Sequence, residues 1–372
     1  MIISGSTIVF AENFITKPSI NNKPIHFQKL TVQDGLSNNR ITSIKQDKAG
    51  FLWIGTSNGL NRFDGSSFKQ YFNIPQNQNS LSGNNIWDVF IDSSDRIWVG
   101  TWGEGLSVYL PSTDSFIQYR HNEENALSLP SNNIWRIFED ESNNIWVATN
   151  NGLSRLNEQK QSFTTFQHIN NDKSSISHNE VTAIATAEGG LLWLSTFGGG
   201  LNLFDPKRGK VIRHFQHESG DANSLATNEI WNIYKDKLNN LWIGTTKGLA
   251  RYQTEQATFR HYTHNEDPNT LSDNTVTDIF EDSSNNLWIA TYNGGLNILN
   301  RETHVFQSFG MNVSQREALQ SNLVYEIFES SGGSLWFSSD NGIHTYSSYS
   351  KFFKLNTFQP DSSVHPRGVY SL

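Results

Sequence analysis

An all-β fold, a seven-bladed β-propeller of four-stranded antiparallel blades, is what this sequence predicts, and three observations predict it. One phrase returns seven times: a Trp, an aliphatic residue or Phe, a small residue, then Thr or Ser. It reads WIGT at 53–56, WVGT at 98–101, WVAT at 146–149, WLST at 193–196, WIGT at 242–245, WIAT at 288–291 and WFSS at 336–339. The tryptophans stand 45, 48, 47, 49, 46 and 48 residues apart, and a period in this range marks a repeat architecture. Each period also holds four β-rich runs joined by three tight turn signals and one long polar return. That is the pattern of a blade whose chain crosses from its outer edge to the inner strand of the next blade.

The first repeat shows each element in order. Ile41-Thr42-Ser43-Ile44 is a β-rich run, and Asp47-Lys48-Ala49-Gly50 is a turn. Phe51 to Thr56 is the second strand and carries the tryptophan. Asn58-Gly59 is a hairpin signal, because both central residues of a type I′ turn need φ > 0. Leu60 to Phe63 is the third strand, Asp64-Gly65 turns again, and Phe68 to Phe72 is the fourth.

Features present in every copy have packing or turn explanations. The seven tryptophans sit where they can wedge between blades. Each indole buries ~150–250 Å², worth at most about 4–6 kcal/mol. Asn39, Asn84, Asn132, Asn179, Asn228, Asn274 and Asn322 stand just before strand one. Asn tolerates the left-handed region and bonds its own backbone, which suits fixing the entry turn. Gly59, Gly105, Gly152, Gly200, Gly248, Gly295 and Gly342 follow strand two, as a positive φ requires.

Composition excludes several classes of function. The net charge is −8 with no basic block, which argues against a nucleic-acid surface. With no cysteine, disulfides, thiolate metal sites and Cys nucleophiles are ruled out. No run is long and apolar enough to cross a bilayer as a helix. The segment Met1 to Ala11 is similar to the end of a secretory signal but lacks a positive start, so a leader and a cleaved signal both stay open.

Outer strands follow a Phe-x-x-aromatic/Leu pattern that occurs eight times. Phe27…Leu30 precedes the first full repeat and Phe352…Leu355 follows the last, so either could close the ring. Gly368-Val369-Tyr370-Ser371-Leu372 aligns with Leu323-Val324-Tyr325-Glu326-Ile327, the start of an eighth repeat. The expected organisation is a leader over 1–22, the propeller over 23–358 and a truncated next repeat over 359–372, within a longer natural protein.

Function is sought where the copies differ. Between strands two and three, repeats one, three, five and seven have a short turn. Repeats two, four and six carry one extra residue and an aromatic: Trp102, Phe197 and Tyr292. On the strand assignment these turns share a face with the long returns, so the three rings are placed to stack on a sugar or another flat ligand. The bland alternative is that they cap their loops or pack on the neighbouring blade. The third position of strand one is also variable, holding Ser43, Asp88, Arg136, Ala183, Asn232, Asp278 and Glu326. Asp88, Arg136, Asn232, Asp278 and Glu326 are candidate ligand contacts in the channel, with a solvated mixed-charge ring as the bland alternative.

Other patterns carry no function. Gly55-Thr56-Ser57-Asn58-Gly59 matches G-x-S-x-G, but that motif needs a strand-to-helix elbow and this is a hairpin. His121, His168, His217 and His264 recur once per blade, too far apart to share a metal. The runs 139–144 and 281–286 are rich in Asp and Asn but lack the spacing of a calcium loop. The sequence predicts no catalytic residue, metal or cofactor.

The phrase Leu-Ser-x-Asn-x-Ile-x-x-Ile-x-x-Asp…Leu-Trp-Ile-Gly-Thr-x-x-Gly-Leu resembles the two-component regulator propeller repeat, from about residue 24 to the C-terminus. Local departures are Ala187-Glu188 in place of the acidic turn of repeat four, and WFSS in repeat seven. The resemblance implies a periplasmic sensor domain of a membrane signalling protein, joined by downstream segments absent here to a histidine kinase, hybrid kinase or diguanylate cyclase. It implies an oligosaccharide or other small-molecule ligand, a homodimer formed through the parent receptor, a membrane link only via the missing downstream segments, and no catalysis by this segment. A free-standing carbohydrate-binding propeller and a propeller glycan hydrolase or lyase remain as alternatives.

Overall fold

The computed structural model describes residues 27–311 and 318–347. Seven four-stranded antiparallel sheets follow one another along the chain, six of them laid out in sequence order from inner to outer strand, the seventh taking its outer strand from the N-terminal side. The inner strands are Ile41–Gln46, Ile86–Ile91, Ile134–Glu139, Val181–Thr186, Ile230–Lys235, Val276–Glu281 and Val324–Glu329. Each contacts the next, and the seventh contacts the first, so the blades close into a ring. Among the described residues the only helical turns are short 3-10 segments at Val32–Asp34 and Glu188–Gly190. No helix among them is long and apolar enough to cross a membrane.

The ring closes with the N-terminal candidate. Gln28–Leu30 pairs antiparallel with Gly342–Tyr346, in the register Gln28↔Thr345, Lys29↔His344 and Leu30↔Ile343. The chain therefore enters as the outer strand of blade seven and reaches blade one through its own return loop. The competing Phe352…Leu355, the leader over 1–22 and the start of an eighth repeat lie outside the described residues.

The repeat phrase serves three packing tasks. Its tryptophans wedge between blades: Trp53 meets Tyr109 of the next blade at 4.8 Å between centroids, Trp193 meets Tyr252 at 5.5 Å, and Trp146 meets Phe204 edge-on at 5.8 Å. Trp53, Trp98, Trp146, Trp242 and Trp288 are fully buried, and each gives its indole N–H to the Asp that opens the preceding turn. In repeats four and seven that Asp is Ala187 and Ser330. The closing Thr, or Ser339, donates its hydroxyl to the carbonyl of the recurring turn glycine in all seven blades. Those glycines have φ between +75° and +119°. A Cβ on Gly105 would collide with the Tyr119 carbonyl of the adjacent outer strand.

The recurring asparagines fix the entry turn by a different bond from the one expected. Each side-chain oxygen accepts a backbone N–H from where the previous outer strand ends, as in Asn132 from His121 (2.8 Å) and Asn228 from His217 (2.7 Å). The same bond joins Asn39 to Val32, Asn84 to Asn73, Asn179 to His168, Asn274 to His264 and Asn322 to Met311. Each Asn backbone carbonyl then accepts the N–H of the turn glycine of the preceding blade. One residue thus ties outer strand, return loop and hairpin together. His121, His168, His217 and His264 pin the same loops through Nδ1 to a loop carbonyl.

Asp140 and Ser330 offer a paired test. Asp140 accepts from Trp146 Nε1, from Asn144 and from two turn amides. The turn at Ser330 has the same backbone bonds, yet the Trp336 indole N–H is buried without an acceptor among the described residues. Asp140→Ala is expected to lower unfolding free energy by about 2 kcal/mol, and Ser330→Asp to raise it by about 1 kcal/mol. Chemical denaturation of the two variants beside wild type measures both.

Candidate functional site

The inner strands shape the channel, and a bulge in each decides what faces it. In every blade the pairing of strands one and two skips the second inner-strand residue, as between Ile41 and Ser43 or Ile86 and Asp88. A bulge of this kind sets two residues against one and leaves backbone groups of the strand unpaired. The bulge makes two tiers, one from the skipped second positions and one from the third positions.

The third positions satisfy the freed amides of the neighbouring blade. Ser43 accepts the N–H of Val89 (3.1 Å), Asp88 that of Ile137 (2.7 Å), Asp278 that of Ile327 (2.7 Å) and Glu326 that of Ile44 (2.6 Å). These bonds run unbroken from blade six through seven and one to blade three. Arg136 cannot accept and Ala183 has nothing to accept with, so in blade five Asn232 accepts from its own neighbour Ile233. Asn232 also donates to Asp278. Where the second position is Thr, its hydroxyl donates to the first carbonyl of the next blade: Thr42 to Ile86, Thr182 to Ile230, Thr277 to Val324.

The expected candidates Asp88, Asn232, Asp278 and Glu326 are therefore buried and engaged between blades rather than standing as a solvated ring. Arg136 pairs with Asp88 at 3.3 Å and lies 3.9 Å from Glu326, while Lys45 pairs with Glu326. Arg136 sits deep in the ring, yet its side chain keeps 31% exposure because the channel brings solvent to it. Burial raises the Asp88 carboxyl above its ordinary value, against the pull of Arg136 and Lys45. Asp278 is pushed up to about 7 by burial and by the nearby Glu326 charge, offset in part by Arg136.

The second positions form the upper tier, and here sequence reasoning missed residues. They are Thr42, Trp87, Trp135, Thr182, Trp231, Thr277 and Tyr325. Trp87 contacts Trp102 at 5.4 Å and Trp135 at 5.2 Å between centroids; Trp102 contacts Trp135 at 5.1 Å. Trp135 reaches Trp231 across blade four at 5.7 Å, and Trp231 meets Phe197 at 5.4 Å. A signal was available: eleven tryptophans less seven in the repeat phrase leaves four, and all four meet here.

The three turn aromatics separate. Trp102 and Phe197 are partly buried in this cluster, on the second-position Trp of the following blade. Tyr292 is 47% exposed. It borders a cleft of about 600 Å³ with Asn293, Gln320, Ser321, Asn322, Asp340 and Asn341. Arg40 lies over the Tyr325 ring at 5.3 Å nearby. No group of three or more His, Asp or Glu among the described residues is arranged to hold a metal.

His344 lies under this face in the third strand of blade seven, at the place of Asn61, Asn202 and Asn297 in blades one, four and six. Those asparagines accept a return-loop N–H. His344 Nε2 does the same for Gln320 at 3.1 Å, which requires a neutral ring with the proton on Nδ1. Burial, with Lys29 nearby, lowers its pKa to about 4.

Five repeats match a family model described as two component regulator propeller, over residues 35–58, 80–103, 128–151, 224–247 and 270–293. These are the five repeats with the Asp–Trp bond. A histidine kinase P4 of Formosa agariphila is 43% identical over 77 residues, 21% of this chain and 6% of that protein. The crystal structure of the extracellular domain of a putative hybrid two component system from B. thetaiotaomicron superposes with a TM-score of 0.76 at 30% identity, covering 87% of this chain and 42% of that one. The chain thus spans less than half the length of these two relatives. Virginiamycin B lyase from Staphylococcus aureus shares the fold, with a TM-score of 0.64 at 14% identity over 87% of this chain and 99% of the lyase.

Asp278 and His344 predict opposite pH responses. Asp278 binds its proton more tightly folded than unfolded, so its contribution is full below the ordinary carboxylate value and fades as pH rises toward 7. His344 resists protonation when folded, so its contribution is full above the ordinary imidazole value and is lost as pH falls toward 4. Relative to wild type, His344→Asn should gain stability as pH falls from 6.5 to 4, and Asp278→Asn should lose it. Each trend is limited to about 1.4 kcal/mol per pH unit. Thermal melts across this range are the check, and parallel curves would remove the assignment.

Proposed function

Because the chain belongs to the two-component regulator propeller repeat family, we propose that it is the extracytoplasmic ligand-sensing input propeller of a membrane two-component-type signalling protein, and that it is not itself a catalyst. The ligand is an oligosaccharide, and its contact is the cleft beside Tyr292. The observation that carries this reading is an exposed aromatic ring bordering a cleft otherwise lined by amide, hydroxyl and carboxylate side chains together with Met311 and Leu323. A sugar has the same two faces, apolar C–H on its ring and hydroxyls around its edge, and Tyr offers a flat ring with a polar tip.

The buried carboxylates support a non-catalytic role. A general acid or base must come within hydrogen-bond reach of a substrate, and Asp88, Asp278 and Glu326 already accept amides of the next blade. Signalling would follow from differential affinity, since a ligand shifts an equilibrium only as far as it binds one state better. The receiving element would be the remainder of the parent protein, periplasmic and anchored by segments beyond this propeller.

Calorimetric titration with glucan, xylan, mannan and arabinan oligosaccharides tests the reading. Tyr292→Ala is expected to weaken the best ligand about tenfold without changing the melting temperature, because the ring is exposed. Oligosaccharide affinity unchanged in Tyr292→Ala would move the site elsewhere, and turnover of any of these glycans would replace the sensor reading with an enzymatic one.

A further inference from the structure

We propose that the tryptophan-lined half of the channel mouth is a second binding site, for an organic ammonium cation. It lies across blades two to five, away from the Tyr292 cleft of blades six and seven, and does not depend on the oligosaccharide reading.

The first observation is the convergence of Trp87, Trp102, Trp135, Trp231 and Phe197 from four blades. All but Trp135 remain partly exposed. The indole N–H groups of Trp135 and Trp231 are buried without an acceptor among the described residues. A core position that needed only apolar volume would be better filled by Leu, Ile or Phe, which bury no donor. Nor does the repeat need tryptophan there, since blades one, four and six have Thr.

Charge supplies the second observation. Glu180 and Glu229 stand immediately before the inner strands of blades four and five and flank Phe197. The Phe197 N–H donates to the Glu180 carbonyl at 2.9 Å, and Phe197 pairs with Glu229 as an isolated antiparallel bridge. Glu229 accepts a bond from the Thr246 hydroxyl at 2.8 Å, and among the described residues neither carboxylate forms an ion pair. Arg136 and Lys45 are matched to Asp88 and Glu326 in the tier below, and Lys247 on the adjoining turn forms no ion pair with Glu229 among the described residues.

Aromatic faces carry negative quadrupole potential, and a cation over them is held more firmly as water is excluded. Two carboxylates on the segments that hold Phe197 add attraction for a positive ligand and repel an anion. A neutral apolar group would use the rings and gain nothing from the carboxylates. An ammonium group uses both.

The test titrates the whole chain with choline and, in parallel, with 3,3-dimethylbutan-1-ol, its neutral isostere, by calorimetry and tryptophan fluorescence. Choline is expected to bind saturably and to perturb the fluorescence, with the isostere about tenfold weaker or worse. The double variant Glu180→Gln, Glu229→Gln should weaken choline about tenfold and leave the melting temperature unchanged, as both side chains reach solvent. Equal affinity for the two probes would mean an apolar shelf without charge selection and overturn the proposal. So would the absence of saturable choline binding, or choline affinity unchanged in the double variant. Loss of oligosaccharide binding in Tyr292→Ala bears on the other site alone.

Discussion

The asparagine before each inner strand is the interaction on which the rest of the ring depends. Its amide oxygen holds the end of the preceding outer strand, and its carbonyl holds the hairpin glycine of the preceding blade. A return loop is a long polar segment with no ladder of its own, so without such a bond its path would be set by weak contacts. With it, the next blade starts at a fixed place beside the last. The Thr-to-glycine bond within the hairpin holds the other partner of that contact still. The position of every aromatic at the channel mouth follows from these two bonds.

Blade-to-blade cohesion is uneven on top of this regular frame. From blade six round to blade three, each inner strand gives an acceptor to its neighbour. At the junction of blades three and four the third-position residue is Arg136 and the second is Trp135, so neither an acceptor nor a hydroxyl donor is available there. Hydrophobic packing takes over, with Trp135, Trp146, Ile184, Leu194 and Phe204 in one cluster. Blade four also lacks the Asp that receives an indole N–H. A propeller can tolerate this because each blade contacts only its two neighbours, and stability is close to a sum over units and junctions.

Fold and strand boundaries were legible because the period, the hairpin glycines and the β-rich runs all repeat. The entry asparagines were recognised by position but given the wrong partner, since a bond to a residue about eleven places back in a loop leaves no local sequence sign. The candidate site was less legible for a geometric reason. Side chains alternate along a strand, and a one-residue slip moves them to the other face. The bulge introduces that slip at the start of every inner strand. Counting from the strand end led to Asp88, Arg136 and Asn232, whereas the residues at the mouth are Trp87, Trp135 and Trp231, one place earlier. Of the three turn aromatics, only the environment of each separates Tyr292 from Trp102 and Phe197, because the residue types alone are equivalent.

The alternating turns have a consequence that belongs to arithmetic rather than chemistry. Long aromatic turns occupy blades two, four and six, and short ones blades one, three, five and seven. On a ring with an odd number of places, strict alternation cannot be completed, and two like neighbours must meet somewhere. They meet at blades seven and one, the seam where Gln28–Leu30 fastens the circle and Arg40 covers Tyr325. The mouth consequently has a single landmark and no rotational equivalent of itself. Whatever docks on this face, whether a chain of sugars or a second protein, meets a dial with one marked hour and can seat in one orientation only.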